Sequence, residues 1–254
     1  MAEYKTVRRA GAGVRTAEID AGLRAHMNKV YGLMSVAMIV TGIISWLVGS
    51  DLNAAMSGQE TRLPLGVIQA MFTAPLSYVI MFAPLGMVLF FGKAVNNMSQ
   101  SGAQMFFYVF AGLMGLSISS IFGMYTEYSI AQTFFVTSIA FASLSLYGYT
   151  TKKDISAWGS FLIMGVIGLI IASIVNIFLQ SAAMEFAVSA LGVLIFAGLT
   201  AYDTQKIKNQ YLQVRGMPDG EAIAAKMAIS GALSLYLDFI NLFLFLLRFM
   251  GNRN

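Results

Sequence analysis

Seven apolar runs, each 17 to 23 residues long, divide this chain at residues 31–49, 75–91, 105–124, 131–149, 158–179, 186–203 and 227–249. A helix needs about 20 predominantly apolar residues to cross the hydrocarbon of a bilayer, whereas barrel strands are half that length and alternate with a period of two. The pattern predicts an all-α, polytopic membrane protein, a bundle of seven transmembrane helices. Composition agrees: 57% of residues are hydrophobic and 11% charged, too little polar sequence to coat a soluble fold that buries so much, and too much apolar sequence for disorder. The chain has no cysteine, which excludes disulfides, thiolate metal sites and cysteine nucleophiles. A single histidine, His26, excludes His-rich metal centres.

Residues 1–30 are polar and read as a tail ahead of one membrane domain, 31–254. The first apolar run starts too far in and runs too long for the core of a signal peptide, so it is expected to be retained as a span. If all seven runs cross, 13 Lys and Arg lie on the N-terminal side and 3 on the other, which predicts a cytoplasmic N-terminus. The net charge of +4 is then topology and attraction to anionic lipid. No aromatic-interleaved basic groove suggests nucleic acid. A re-entrant final hairpin would return Arg248 and Arg253 to the basic side and make the split 15 to 1, while the 23-residue length of that run favours a full span.

Within the second run, apolar character extends from Leu65 to Gly92 around Pro75 and Pro84, so part of 65–73 is placed in the interface and Pro84 is expected to kink the helix. Gly112, Gly115, Gly165, Gly168, Ala172, Gly192 and Gly198 read as close-packing positions between helices. Tyr31, Tyr149 and Trp158 read as interface anchors, and His26 as a solvated residue beside the membrane. Loop 204–226 is read as a continuation of the sixth helix into water.

Of the twelve acidic residues, ten fall in the tail, loops or span ends. Asp238 is at the midpoint of the seventh run, about 16 Å deep at the helical rise. Asp203 closes the sixth run behind a long uncharged stretch. A carboxylate at the bilayer centre costs roughly 2.5–3.5 kcal/mol, so it should face the bundle interior, find a partner or hold a proton. At 100° per residue, Ser230, Ser234, Asp238, Asn241 and Arg248 fall within an arc of about 80°, and Ser189, Thr200 and Asp203 within about 60°. Two helices joined by one loop are expected neighbours, so both stripes could line one polar interior path. Lys206 and Lys93 are the cations placed to pair with Asp203. A buried acid that only keeps helices in register, or an interfacial acid beside Lys206, is the plainer alternative for each aspartate.

The segments Gly198-Leu199-Thr200-Ala201-Tyr202-Asp203-Thr204-Gln205 and Leu235-Tyr236-Leu237-Asp238-Phe239-Ile240-Asn241-Leu242-Phe243 resemble motifs of the transmembrane Bax inhibitor motif family, also called the Bax inhibitor-1 family. Ile121-Phe122-Gly123-Met124-Tyr125-Thr126 and Tyr147-Gly148-Tyr149 add to the likeness, which covers most of the chain from about residue 24. The short tail and compact loops are similar to the bacterial branch, which implies a multi-pass protein of the bacterial inner (plasma) membrane. The resemblance implies a seven-helix fold with the last helix at the centre, and a pH-sensitive calcium leak in which two aspartates are the sensor. Asp203 and Asp238 stand at those positions. The arginine that pairs with the aspartates in some relatives has no counterpart here, since the second and third spans contain no Arg.

Two carboxylates close together in low dielectric cannot both ionise cheaply, so such a pair titrates as a unit and shares a proton. Loss of that proton leaves like charges that a cation can bridge, and calcium, a hard ion preferring six to eight oxygens, suits them. Asp203 and Asp238 with Thr200, Ser234, Asn241 and water would form an incomplete and therefore weak calcium site. Weak binding lets an ion leave. The expectation is a proton-gated cation leak, with no cofactor and no enzymatic activity, whose partners are the lipid bilayer, calcium ions and protons. Alternatives are a proton-coupled transporter or a regulatory protein that binds other membrane proteins or proteases. An intramembrane aspartyl protease is disfavoured because Leu235-Tyr236-Leu237 precedes Asp238 where that mechanism's second motif needs Gly-x-Gly.

Overall fold

The computed structural model describes the backbone of residues 3–253 and the side chains of residues 21–253; the basic side chains expected at Lys5, Arg8, Arg9 and Arg15 lie outside the described residues. The chain folds as α1 (Glu3–Met56), α2 (Leu65–Phe72), α3 (Leu76–Asn97), α4 (Gln100–Ile118), α5 (Ile121–Met124), α6 (Glu127–Thr150), α7 (Trp158–Leu179), α8 (Ala182–Val214) and α9 (Gly220–Met250). No strand occurs among the described residues; a lone bridge joins Tyr125 to Arg253. Seven segments are long and apolar enough to cross a membrane, α4 and α5 together making the third. The all-α, seven-span reading holds.

The ends of these helices follow local chemistry. Ser99, Thr126 and Ser181 begin α4, α6 and α8, and each side chain accepts a backbone N–H from the first turn, at 3.2, 3.2 and 3.3 Å. Such caps satisfy donors that the helix itself cannot. The long apolar stretch of the second run splits into α2 and α3. Thr73 is extended at φ −112° and Pro75 opens α3, because proline lacks an N–H and disfavours helical geometry in the residue before it. Pro84 lies inside α3 without ending it. The third run is also interrupted: the buried Ser119 hydroxyl donates to the Leu116 carbonyl at 2.7 Å, and the chain turns before α5.

The last helix is central. α9 is unbroken from Gly220 to Met250, as a full span requires, and packs against α1, α3, α4, α6 and α8. Leu235, Tyr236 and Ile229 are fully buried along it. α8 continues to Val214, a helix of 33 residues, about 50 Å at the standard rise and so longer than the roughly 30 Å hydrocarbon layer.

Side-chain bonds tie loops at each end of the bundle. At one end Gln205 accepts the Ile155 N–H at 3.0 Å and donates to the Lys153 carbonyl at 2.8 Å, while Lys226 donates to Asn96 O at 3.0 Å. At the opposite end Arg253 pairs with Glu185, and the Asn252 N–H donates to the Ser129 hydroxyl at 2.9 Å.

Small residues set the closest approaches. A Cβ on Gly148 of α6 would collide with the Ala201 carbonyl oxygen of α8, and one on Gly115 would lie 2.7 Å from the Thr41 carbonyl oxygen. Gly168 differs from expectation: nothing stands within 4 Å of its missing Cβ. That face of α7 meets no neighbouring helix among the described residues, so its glycine performs no packing there.

Candidate functional site

Asp238 sits mid-way along α9, 4% exposed, among the apolar residues of the most buried helix. Its Oδ2 is buried and has no hydrogen-bond partner among the described residues. Burial of a polar atom without a partner costs roughly 1–3 kcal/mol. A group retained merely for packing or register would be expected to find a partner for both oxygens.

Asp203 is on α8, the helix most extensively packed against α9. Its side chain is 15% exposed, and Oδ1 stands 3.9 Å from the Lys206 Nζ, one turn further on. The charges of Asp203 and Lys206 both reach the Asp238 carboxyl. The fold therefore brings the two acids into electrostatic contact across the α8–α9 interface, with one ammonium at their outer edge. Lys206 is that ammonium; Lys93, the other expected candidate, is exposed on α3.

The neighbouring oxygens are partly committed. Thr200 is fully buried and donates its hydroxyl to Phe196 O at 2.8 Å; Asn241 donates its amide to Leu237 O at 2.8 Å. Both keep an oxygen acceptor, because each bond uses a donor. Ser234 is half-buried on α9. The expected polar stripe does not face inward along its whole length: Ser230 and Arg248 are exposed, and Arg248 lies over the Phe245 ring at 5.7 Å. The stripe drifts around α9 as the helix crosses the bundle, and only its middle meets other helices. Among the described residues no cluster of three or more His, Cys, Asp or Glu could hold a metal. The oxygens here are two carboxylates, an amide and hydroxyls, which suit a hard cation in passage rather than a resident one.

Two cavities lie along α1 and α6, and neither is lined by Asp203 or Asp238. One, about 520 Å³, is lined by Arg24, Asn28, Tyr31, Phe141, Ser145 and Tyr149. The other, about 430 Å³, lies toward the opposite end and is lined by Thr41, Ser45, Glu127, Phe134, Phe239 and Phe243 among others. They share no lining residue. Phe239, next to Asp238 in the chain and a wall of the second cavity, meets Phe141 of the first cavity edge-on, with ring centres 5.4 Å apart, and lies tilted against Phe134 at 5.6 Å. Phe141 and Phe239 thus bring one wall of each cavity into contact.

A hydroxyl chain forms a wall of the first cavity. Thr204 donates to Thr200 O at 2.7 Å, so its remaining capacity toward Ser145, 2.9 Å away, is as acceptor. Ser145 must then donate to Thr204 and accept from Tyr31, 2.7 Å away. Two oriented bonds run from α1 through α6 to Thr204 on α8, one residue from Asp203, and a third continues along α8 to the Thr200 carbonyl. Tyr31 therefore departs from the interface-anchor reading: its hydroxyl joins helices. Tyr236 does likewise, donating at 2.7 Å to Thr41, which itself donates to Ala111 O at 2.8 Å.

Two further residues depart from expectation. His26 is 7% exposed, not solvated, and stacks on Tyr211 at 4.6 Å, because α8 extends past the apolar layer and covers it. Asp51, one of the ten acids assigned to the tail, loops or span ends, is 3% exposed inside α1 and accepts the Leu63 N–H at 2.8 Å. The sequence signal available for these was only that a polar residue lay at a helix-compatible spacing.

A family model described as "Inhibitor of apoptosis-promoting Bax1" matches residues 23–254. An uncharacterised protein of Caulobacter vibrioides is 47% identical over 92% of this chain and 90% of its own length. A protein of Rickettsia prowazekii is 44% identical over 92% of both chains. The inner membrane protein YbhL of Escherichia coli is 42% identical over 92% of this chain and 94% of its own.

Proposed function

The chain belongs to the Bax inhibitor-1 family, and on that footing we propose that it is a proton-gated cation leak, with calcium the favoured ion. The carrying observation is the unpartnered Asp238 oxygen in electrostatic contact with Asp203 on the adjacent helix. Two carboxylates in a low-dielectric interior hold a proton between them and draw α8 and α9 together. Removal of the proton leaves a doubly negative site that attracts a divalent cation, assisted by acceptor oxygens of Thr200, Ser234 and Asn241. Proton and cation compete for the same oxygens. That competition is the gate's chemistry.

On this reading the path joins the two cavities past the aspartates, which line neither, and the contacts of Phe239 with Phe134 and Phe141 are its closure. Lys206 at the outer edge takes part of the negative charge and lowers the site's hold on a cation. The protein conducts and catalyses no covalent step. It sits in the inner membrane, as YbhL is named, with the N-terminus and the lysine-rich end of the bundle in the cytoplasm by the balance of basic residues.

Calcium flux into proteoliposomes tests this. Flux in the parent chain depends on pH near neutrality, and Phe239→Ala raises it at every pH. A flux insensitive to pH, or unaltered by Phe239→Ala, removes the basis of the reading.

A further inference from the structure

A third cavity, about 300 Å³, opens at the lysine-rich end of the bundle, among α1, the end of α8 and the start of α9. Its walls carry His26 and Lys29 from α1, Tyr211 and Arg215 from α8, and Gly220 and Glu221 from α9. Neither Lys29 nor Arg215 forms an ion pair among the described residues. Two cations and one acid leave the lining positive.

The α9 N-terminus faces the same space. Asp219 precedes it with φ 59° and its side chain caps no N–H, so the N–H groups of the first turn have no side-chain cap, although Glu221 in that turn offsets part of their positive charge. His26 points independently to a ligand. It is 93% buried by its 7% exposure, lines the cavity, and makes no hydrogen bond among the described residues. Its ring is held by stacking on Tyr211 at 25° between planes. Tyr211 can lie across α1 because residue 22 is glycine: a Cβ there would sit 2.5 Å from the tyrosine Oη. A neutral imidazole always carries one N–H, and here that donor and its partner nitrogen meet no hydrogen-bond partner among the described residues.

We propose that this cavity binds a phosphate group. A tetrahedral phosphate offers acceptors in several directions at once, and can meet a guanidinium, an ammonium, an imidazole N–H and helix-terminal N–H groups that a planar carboxylate could not all reach. Arg215 supplies the paired donors, Lys29 a mobile charge, and His26 the fixed donor at the base. Glu221 opposes the anion and sets the affinity low enough for exchange. The volume exceeds one phosphate, so the group enters with a substituent, either the glycerol of a lipid headgroup or a small soluble ester. Because the site joins α8 to α9 and α1, its occupancy fixes the relative position of the two helices that carry the aspartates. Binding itself does not depend on ion conduction.

The test uses the full chain. In one arm, inorganic phosphate is titrated into protein in uncharged detergent by calorimetry, against chloride at matched ionic strength. In the other, the chain in phosphatidylcholine nanodiscs with or without phosphatidylglycerol is scored for retained anionic lipid by native mass spectrometry. Saturable phosphate binding identifies a soluble ester; selective retention of phosphatidylglycerol identifies a headgroup. Either is expected to weaken about tenfold in Arg215→Gln and in His26→Phe, which keeps the ring stacking. Glu221→Gln is expected to tighten it, a gain that misfolding cannot produce. Absence of binding in both arms, or binding indifferent to His26→Phe and Glu221→Gln, overturns the site.

Discussion

α7 and α9 are both spanning helices, and they invert the usual relation between hydropathy and burial. α7 has the highest mean hydropathy of the seven spans, yet only 11% of its apolar window is buried, against 61% for the less apolar α9. In water the most apolar segment goes to the core. In lipid the surroundings are as apolar as a leucine, so the interior is chosen for packing shape and polar pairing instead. α9 holds an acid, an asparagine and a tyrosine; α7 presents Phe161, Met164, Ile177 and Phe178 outward. The helix that holds the buried acid is the most enclosed of the seven, and the most apolar one is the least.

That contrast can be broken by substitution. The largest effect is expected from Leu235→Ala on α9, where the side chain is fully buried: about 2–5 kcal/mol lost by the cavity mechanism. Phe178→Ala on α7, 82% exposed, should change unfolding midpoint in detergent by no more than about 0.5 kcal/mol equivalent. Equal losses at the two sites would mean that α7 packs against something in its working state. Gly148→Val comes next, since a Cβ there meets the Ala201 backbone two residues from Asp203. Overpacking of this kind costs about 1–3 kcal/mol, read by thermal unfolding. Within the buried interior the smallest effect is expected for Tyr236→Phe, which removes only the bond to Thr41, a loss of about 0.6–1 kcal/mol that still exceeds the one at Phe178.

The seven spans and the placement of Asp203 and Asp238 on neighbouring helices were legible in the chain, while the central last helix was implied by the family resemblance. Hydropathy reports depth in the bilayer well, and a charge at depth is conspicuous. What it does not report is lateral neighbours. Ser145 and Thr204 look like the other hydroxyls that bond back to their own helix, and Thr137, Ser138 and Ser143 do so at 2.7 to 2.8 Å. Only the Gly148–Ala201 approach makes Ser145 and Thr204 meet. His26 is misjudged for a related reason: its cover comes from Tyr211, nearly the whole chain away in sequence. The split in the second run was partly readable from Pro75; the turn at Ser119 was not, because serine is common within apolar helices and signals a break only through its packing.

The central claim is that Asp203 and Asp238 form one titrating gate. It is tested most directly by calcium flux across a pH series in proteoliposomes holding the parent chain, Asp203→Asn or Asp238→Asn, with melting curves confirming each fold. The account predicts a pH-dependent flux in the parent and a flat profile in both variants. An unchanged pH profile in either folded variant contradicts it.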